Sequence, residues 1–242
     1  MQKPDPNDTR MYTKFSWFED SLGEGKHPLD VGQGVFKKQG QVEGVKYTGI
    51  DPLNNPEPVK GKYDWTQAAR LGKEDRPMEV GPLAQILIAY LAGRTEAKQL
   101  VDSTLAAIGA PGQVQVLMSN LGRIAARVLK AKINADNAVR WAEELLANIR
   151  AGKTNTFIDK AVPTSGEGIG GWDAPRGALC HYIRIKNGVI GEYAAVPPSN
   201  WNLSPRDDKG VRGPVEEALI GTQVVDPAKP LEILRVVHTF DP

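Results

Sequence analysis

Gly166-Glu167-Gly168-Ile169-Gly170-Gly171-Trp172-Asp173-Ala174-Pro175-Arg176-Gly177-Ala178-Leu179-Cys180-His181-Tyr182-Ile183 is the stretch around which the rest of the chain is organised. Its glycine-dense first half reads as a flexible loop, because residues without a Cβ lose the most freedom on ordering. Pro175-Arg176-Gly177 follows, and only then does an alternating apolar segment begin. A loop feeding a strand in this way brings backbone N–H groups and one permanent cation close to something compact and electron-rich. From Leu179 to Val196 the pattern predicts two strands, with Asn187-Gly188 at the centre as a two-residue hairpin signal. Val196-Pro197-Pro198-Ser199-Asn200-Trp201-Asn202 ends the second strand abruptly.

Upstream, from Pro77 to about Arg150, the pattern is helical. Glu79 and Pro82 fit a first helical turn, where a carboxylate complements the dipole and proline loses no bond. The apolar run Pro82–Ala92 is too short to span a bilayer and reads as a buried helix. A second helix is predicted over Thr95–Ile108, stopping at Gly109-Ala110-Pro111-Gly112. Leu117, Leu121, Ile124, Val128 and Leu129 recur at three- and four-residue spacing, with Arg123, Arg127 and Lys130 off that face. Asn134-Ala135-Asp136 is predicted to cap a further helix carrying Val139, Leu145, Leu146 and Ile149. Core packing accounts for nearly all of these apolar residues. Pro214–Ile220 and Pro230–Val237 read as short helices opening with proline.

Residues 1–75 show little periodicity. Met11–Phe18 is a strand candidate, and Asp51–Pro58 is a loop because its prolines lack N–H groups and bias their predecessors away from helix. A loop this long favours a segment lying over a larger body. The organisation expected is a loop-rich segment over 1–75, a helical segment over 76–150, and over 151–242 the Gly-rich loop, hairpin and short helices, all within one domain. The fold class is α+β, mainly a helical bundle with a C-terminal antiparallel hairpin or small sheet and long irregular loops.

A chain of 242 residues with a net charge of +1 has no basic stripe, which argues against nucleic acid as a partner. Its single cysteine, Cys180, excludes a disulfide framework and any multi-cysteine metal site made by these residues alone. Met1-Gln2-Lys3-Pro4-Asp5-Pro6 is polar and does not read as a secretory signal. Contact with a membrane is expected only through another subunit.

Gly166–Gly171 matches G-x-G-x-x-G, yet Val162-Pro163-Thr164-Ser165 precedes it and Asp173-Ala174-Pro175 follows where a helix would be needed, so a dinucleotide site is not expected. His27, His181 and His238 are far apart and form no helical pair for zinc. Cys180 is expected to be a small buried apolar residue rather than a reactive thiol. Arg176 stands out, since it cannot deprotonate and lies between a fixed and a permissive residue. A surface salt bridge is the plain alternative for Arg176, and turn capping for Ser199.

Four segments then carry a resemblance in their order. They are Pro77-Met78-Glu79-Val80-Gly81-Pro82-Leu83-Ala84, Gly166 through Tyr182, Pro198-Ser199-Asn200-Trp201-Asn202-Leu203-Ser204-Pro205-Arg206-Asp207, and Pro230-Leu231-Glu232-Ile233-Leu234-Arg235-Val236-Val237-His238-Thr239-Phe240-Asp241-Pro242. Together they resemble the large subunit of nickel–iron hydrogenases, in its C-terminal half, with weaker similarity before residue 60. The resemblance implies part of that subunit's fold and the reversible heterolytic oxidation of dihydrogen at a nickel–iron centre carrying carbonyl and cyanide ligands. It also implies four metal-ligating thiolates from two Cys-x-x-Cys pairs. The first pair belongs to the N-terminal half, and the second would follow Asp241-Pro242, so no thiolate ligand is expected from these residues. Cys180 takes a position commonly held by glycine.

By the same resemblance Arg176 lies above the metals. The backbone of Pro175 and Arg176, with Pro198 and the Ser199 hydroxyl and N–H, surrounds the cyanides, where hydrogen bonds to anions are charge-assisted. Asp241 is the carboxylate beside the arginine, and the Ala195 carbonyl matches a backbone ligand of a structural magnesium or iron ion. Asp173, in place of glutamate or threonine, and Pro197-Pro198, in place of Val-Pro, depart from the family pattern. The partners implied are the missing N-terminal half and a small subunit holding the iron–sulfur clusters, on the periplasmic side of the membrane or, as the other option, in the cytoplasm. The competing class is a non-catalytic binding or structural fragment, or a split subunit needing a partner chain.

Overall fold

The computed structural model describes residues 5–16, 18, 23–31, 35–36, 42–43 and 61–242. In chain order the regular elements are β1 (Thr9–Tyr12), β2 (Val35–Phe36), β3 (Val42–Glu43), β4 (Ala68–Leu71), α1 (Pro82–Leu91), α2 (Thr95–Ala107), α3 (Asn120–Arg150), β5 (Ser165–Ala174), β6 (Gly177–Lys186), β7 (Val189–Val196), α4 (Pro198–Asn202), α5 (Pro214–Leu219) and α6 (Leu231–His238). They divide into two compact units, one of Met1–Gly81 with Pro163–Pro242 and the other of Pro82–Val162. The class is α+β with small antiparallel sheets, as the pattern predicts.

In the first unit β6 is the central strand of an antiparallel sheet ordered β5-β6-β7. The pairing with β5 runs from Ser165 opposite Lys186 to Ala174 opposite Gly177. The hairpin between β6 and β7 closes on Asn187-Gly188 with φ of 54° and 75°, the double left-handed geometry of a type I′ turn. The register shifts between Arg184 and Ile185. The glycine-dense stretch is therefore strand and not loop. Its weak intrinsic preference is overridden because β6 offers a complete ladder beside it. A strand here also excludes the dinucleotide fingerprint.

β1 pairs antiparallel with β4, Thr9 opposite Leu71 and Tyr12 opposite Ala68, so the strand within the Met11–Phe18 candidate starts and ends earlier than expected. Met11, Leu29, Val31, Ala69, Tyr182, Val196 and Trp201 form one buried cluster. The Lys62 ammonium ties the N-terminal loops together by donating to the carbonyls of Thr13, Ser16 and Phe18 at 3.1, 2.9 and 2.8 Å. Val215 of α5, Val236 of α6 and Phe240 make a separate small core near the end of the chain. The Asp51–Pro58 loop lies outside the described residues.

In the second unit α1, α2 and α3 pack around Leu83, Ile86, Val101, Leu105, Leu117, Ala126 and Leu129. The first of these helices starts at Pro82, which leaves Glu79 in the preceding loop rather than in a first turn. Ser119 caps α3 by accepting from the Gly122 N–H at 3.1 Å. That helix runs unbroken for 31 residues, so Asn134-Ala135-Asp136 is no cap. No glycine or proline follows Gly122 within the helix, and Asp136 instead receives Lys132 one turn earlier at 2.7 Å.

Of the predicted core stripe, Leu117 and Leu129 are buried and Leu121, Ile124 and Val128 are not. Gly122, Ala126 and Leu129 face the core, whereas Leu121, at 78% exposure, and Val128, at 63%, face outward with Ile124, Val139, Leu145, Leu146 and Ile149. The helix has two apolar faces, and these residues fill only one. No helix among the described residues is long and apolar enough to cross a membrane.

Candidate functional site

Arg176 occupies the two-residue turn Pro175-Arg176 between β5 and β6, closed by the pairing of Ala174 with Gly177. The turn lies against the Val80-Gly81 backbone. A Cβ built on Gly177 would stand 2.6 Å from the Gly81 nitrogen and 2.7 Å from the Val80 carbonyl carbon. One built on Gly81 would stand 3.0 Å from the Arg176 carbonyl oxygen. Both glycines have positive φ, 133° and 131°, so close approach and backbone conformation demand the same residue type.

Val80 is held in turn by Asn202, the last residue of α4. Asn202 donates from Nδ2 to the Val80 carbonyl at 2.8 Å and accepts the Val80 N–H on Oδ1 at 2.9 Å. Pro198 and Ser199 open that same short helix, Pro198 buried and Ser199 half-buried. Ser199 sits in the first turn, where backbone N–H groups have no partner within the helix.

Arg176 meets Asp241 from the other end of the chain, Nε to Oδ2 at 3.6 Å, with the two side chains 52% and 40% exposed. Asp241 follows α6 with a left-handed φ of 55° and is tethered by its N–H to the His238 carbonyl at 3.1 Å. Burial of Val236 and Phe240 fixes that terminus. Ala195 lies exposed in β7 opposite His181. Among the described residues neither Ser199 nor Ala195 makes an ion pair or hydrogen bond to Arg176. Two residues expected at one site, Arg176 and Asp241, are thus brought together, and Pro175 shares their turn.

Sequence reasoning did not single out Asn202 or the cation that holds the adjoining Ser204-Pro205-Arg206-Asp207 loop. Arg70 of β4 has no exposed surface, and its Nε donates to Asp207 Oδ2 at 3.0 Å. Its remaining N–H groups reach the Ala69 carbonyl, Ser204 Oγ, the Pro205 carbonyl and the Val211 carbonyl at 2.9, 3.0, 2.9 and 2.8 Å. All five guanidinium donors are used. The available signal was an arginine inside an otherwise apolar strand, Ala68-Ala69-Arg70-Leu71.

As a ligand set for a metal these residues do not fit. Among the described residues no group of three His, Cys, Asp or Glu side chains converges. Cys180 is half-buried within β6, and burial pushes its thiol above the ordinary cysteine value, partly offset by Tyr182, which disfavours the thiolate that binds metals. His181 Nδ1 is taken by the Tyr193 hydroxyl. What the turn and terminus offer is a cation, a carboxylate and backbone groups, which suit the surroundings of an anionic group rather than its coordination.

The family model for nickel-dependent hydrogenase matches residues 1–242. An uptake hydrogenase large subunit of Rhizobium leguminosarum bv. viciae is 39% identical over 98% of this chain and 40% of its own length. The quinone-reactive Ni/Fe-hydrogenase large chain of Wolinella succinogenes is 42% identical over 94% of this chain and 39% of its own. Among solved structures, the Ni-Fe-Se hydrogenase of D. vulgaris Hildenborough in the reduced state superposes with a TM-score of 0.74 at 30% identity, covering 98% of this chain and 44% of that one. The chain spans about two fifths of the length of these curated relatives. With a family match over its whole length and relatives named as large subunits, this chain belongs to the nickel-dependent hydrogenase family.

Proposed function

We propose that these residues are the C-terminal portion of a nickel–iron hydrogenase large subunit, whose reaction is the reversible oxidation of dihydrogen to protons and electrons. The observation that carries this reading is the meeting of Arg176 with Asp241 beside a turn that only glycines can floor. When bound, the nickel–iron centre would supply the electron-transfer chemistry, its thiolates coming from polypeptide beyond the one cysteine present here. Its carbonyl and cyanide ligands would be met by Pro175, Arg176, Pro198 and Ser199 through backbone groups, a guanidinium and a hydroxyl. Arg176, permanently cationic, would position the transferred proton through its guanidinium N–H groups, and Asp241 would orient it. The Ala195 carbonyl would serve a structural magnesium or iron ion.

The outward face of α3 supports a larger body around this chain. Leu121, Ile124, Val128, Ala131, Ala135, Ala138, Ala142, Leu145 and Ile149 recur at alternating three- and four-residue steps, and every one is exposed. Such a seam is the pattern of a helix packed lengthwise against another, and an exposed apolar patch of this extent marks an interface. The remainder of the large subunit is its natural cover, with an iron–sulfur small subunit and a periplasmic, membrane-side setting completing the assembly.

Intact mass of the polypeptide from its native source tests the reading. A mass well above 26.3 kDa, with Cys-x-x-Cys peptides on digestion, is expected. A mass of 26.3 kDa, with no copurifying chain that carries four thiolates, would remove the enzyme assignment.

A further inference from the structure

We propose that Asn202 is a positioning residue for Arg176, acting through the Val80-Gly81 peptide; the functional part of this rests on the role proposed above for Arg176. The Arg176 side chain cannot fix itself. Its partner Asp241 is 3.6 Å away and both side chains are about half exposed, a geometry in which an ion pair restrains little. The guanidinium is therefore placed by the backbone of its turn, and that backbone rests on Val80-Gly81 at distances that leave no room for a methyl group.

Val80 in turn is clamped on both polar groups by one side chain. Asn202 is 2% exposed, and its amide offers a donor and an acceptor in one plane, as a neighbouring strand would. Aspartate has no donor for the Val80 carbonyl, leucine has neither group, and glutamine is longer by a methylene. Only asparagine satisfies both bonds at this separation. Displacement of Val80-Gly81 would carry the Arg176 carbonyl with it, and small misplacements of a reacting group cost roughly 100-fold in rate.

The test uses the complete hydrogenase carrying Asn202→Leu, Arg176→Lys and both, with Gly81→Ala as a second way to shift the floor should Asn202→Leu fail to fold. Three quantities are read on each: amide exchange at Val80 and Gly177, kcat and KM for dihydrogen, and bound nickel. Asn202→Leu, which removes both bonds, is expected to speed Val80 exchange about 10-fold or more and to lower kcat with KM and nickel unchanged. In the Arg176→Lys background it should lower kcat little further, because both changes disable one unit. Equal losses in the two backgrounds, or unaltered kcat despite faster Val80 exchange, would overturn the proposal. If Arg176→Lys itself left kcat intact, the role of Arg176 would fall, while the exchange data would still report separately on the clamp.

Discussion

Arg70 and Asp207 lie 137 positions apart in sequence, and their pairing is what fixes the Ser204–Asp207 loop beside the candidate site. A buried ion pair stabilises little relative to an apolar replacement, but removing one member leaves the other desolvated and unmatched. Asp207→Ala is accordingly expected to destabilise the fold by about 3–5 kcal/mol, measured by urea unfolding, since Asp207 also accepts the N–H groups of Lys209 and Val211 at 2.9 and 3.0 Å. His27 makes a second residue-scale prediction. Burial lowers its pKa in spite of Asp30 and Glu167 nearby, and its Nδ1 accepts the Leu29 N–H at 3.3 Å, which requires that nitrogen to be unprotonated. The folded state therefore binds this proton less readily than the unfolded one. The His27 contribution is present above about pH 6.5 and is lost as pH falls through the lowered folded-state value. Melting temperatures measured across that window should fall on acidification in the wild type and fall less in His27→Gln. The sequence hints at Arg70 only by its place in an otherwise apolar strand, because its partners come from a loop far along the chain, and nothing local marks the burial of His27. Arg176 was legible, since Pro-Arg-Gly announces a constrained cation by itself.

At the scale of elements, β5 and α3 show where local pattern misleads. The glycines of β5 read as a loop because strand propensity is low, yet ten consecutive residues pair with β6. Strand structure there is imposed by a neighbour, which a window of sequence cannot contain. The glycines of this sheet also differ in kind. A Cβ on Gly170 would meet nothing within 4 Å, whereas one on Gly177 would run into Val80 and Gly81. Gly170→Ala should therefore change stability by less than about 1 kcal/mol, and Gly177→Ala should cost more than about 1–3 kcal/mol, compared in thermal melts of the same protein. The hairpin at Asn187-Gly188 and the helices α2, α5 and α6 were legible because their turn and cap residues act within a few positions. On α3 the three- and four-residue spacing correctly gave a helix and placed Leu117 and Leu129 in the core, but Leu121, Ile124 and Val128 face outward, and Gly122 and Ala126 complete a smaller-residue buried stripe.

For the whole molecule, that outward stripe is an uncovered apolar surface, which supports the proposal of a larger body around it. An amphipathic helix buries one face, and α3 buries Gly122, Ala126 and Leu129 near its start while a second apolar stripe runs exposed over its full length. The spans of about two fifths shared with the hydrogenase large subunits agree with a body of which this chain is one part. On the proposed reading, a chain with one cysteine would surround a thiolate-bound centre rather than hold it. On the proposed function, Arg176, held by its turn and faced by Asp241, takes part in the handling of dihydrogen. The direct measurement is dihydrogen turnover by the complete enzyme with Arg176→Lys, with nickel and iron assayed on the same sample. Retained metals with kcat lowered about 100-fold or more are expected. Retained metals with unchanged turnover would contradict the claim.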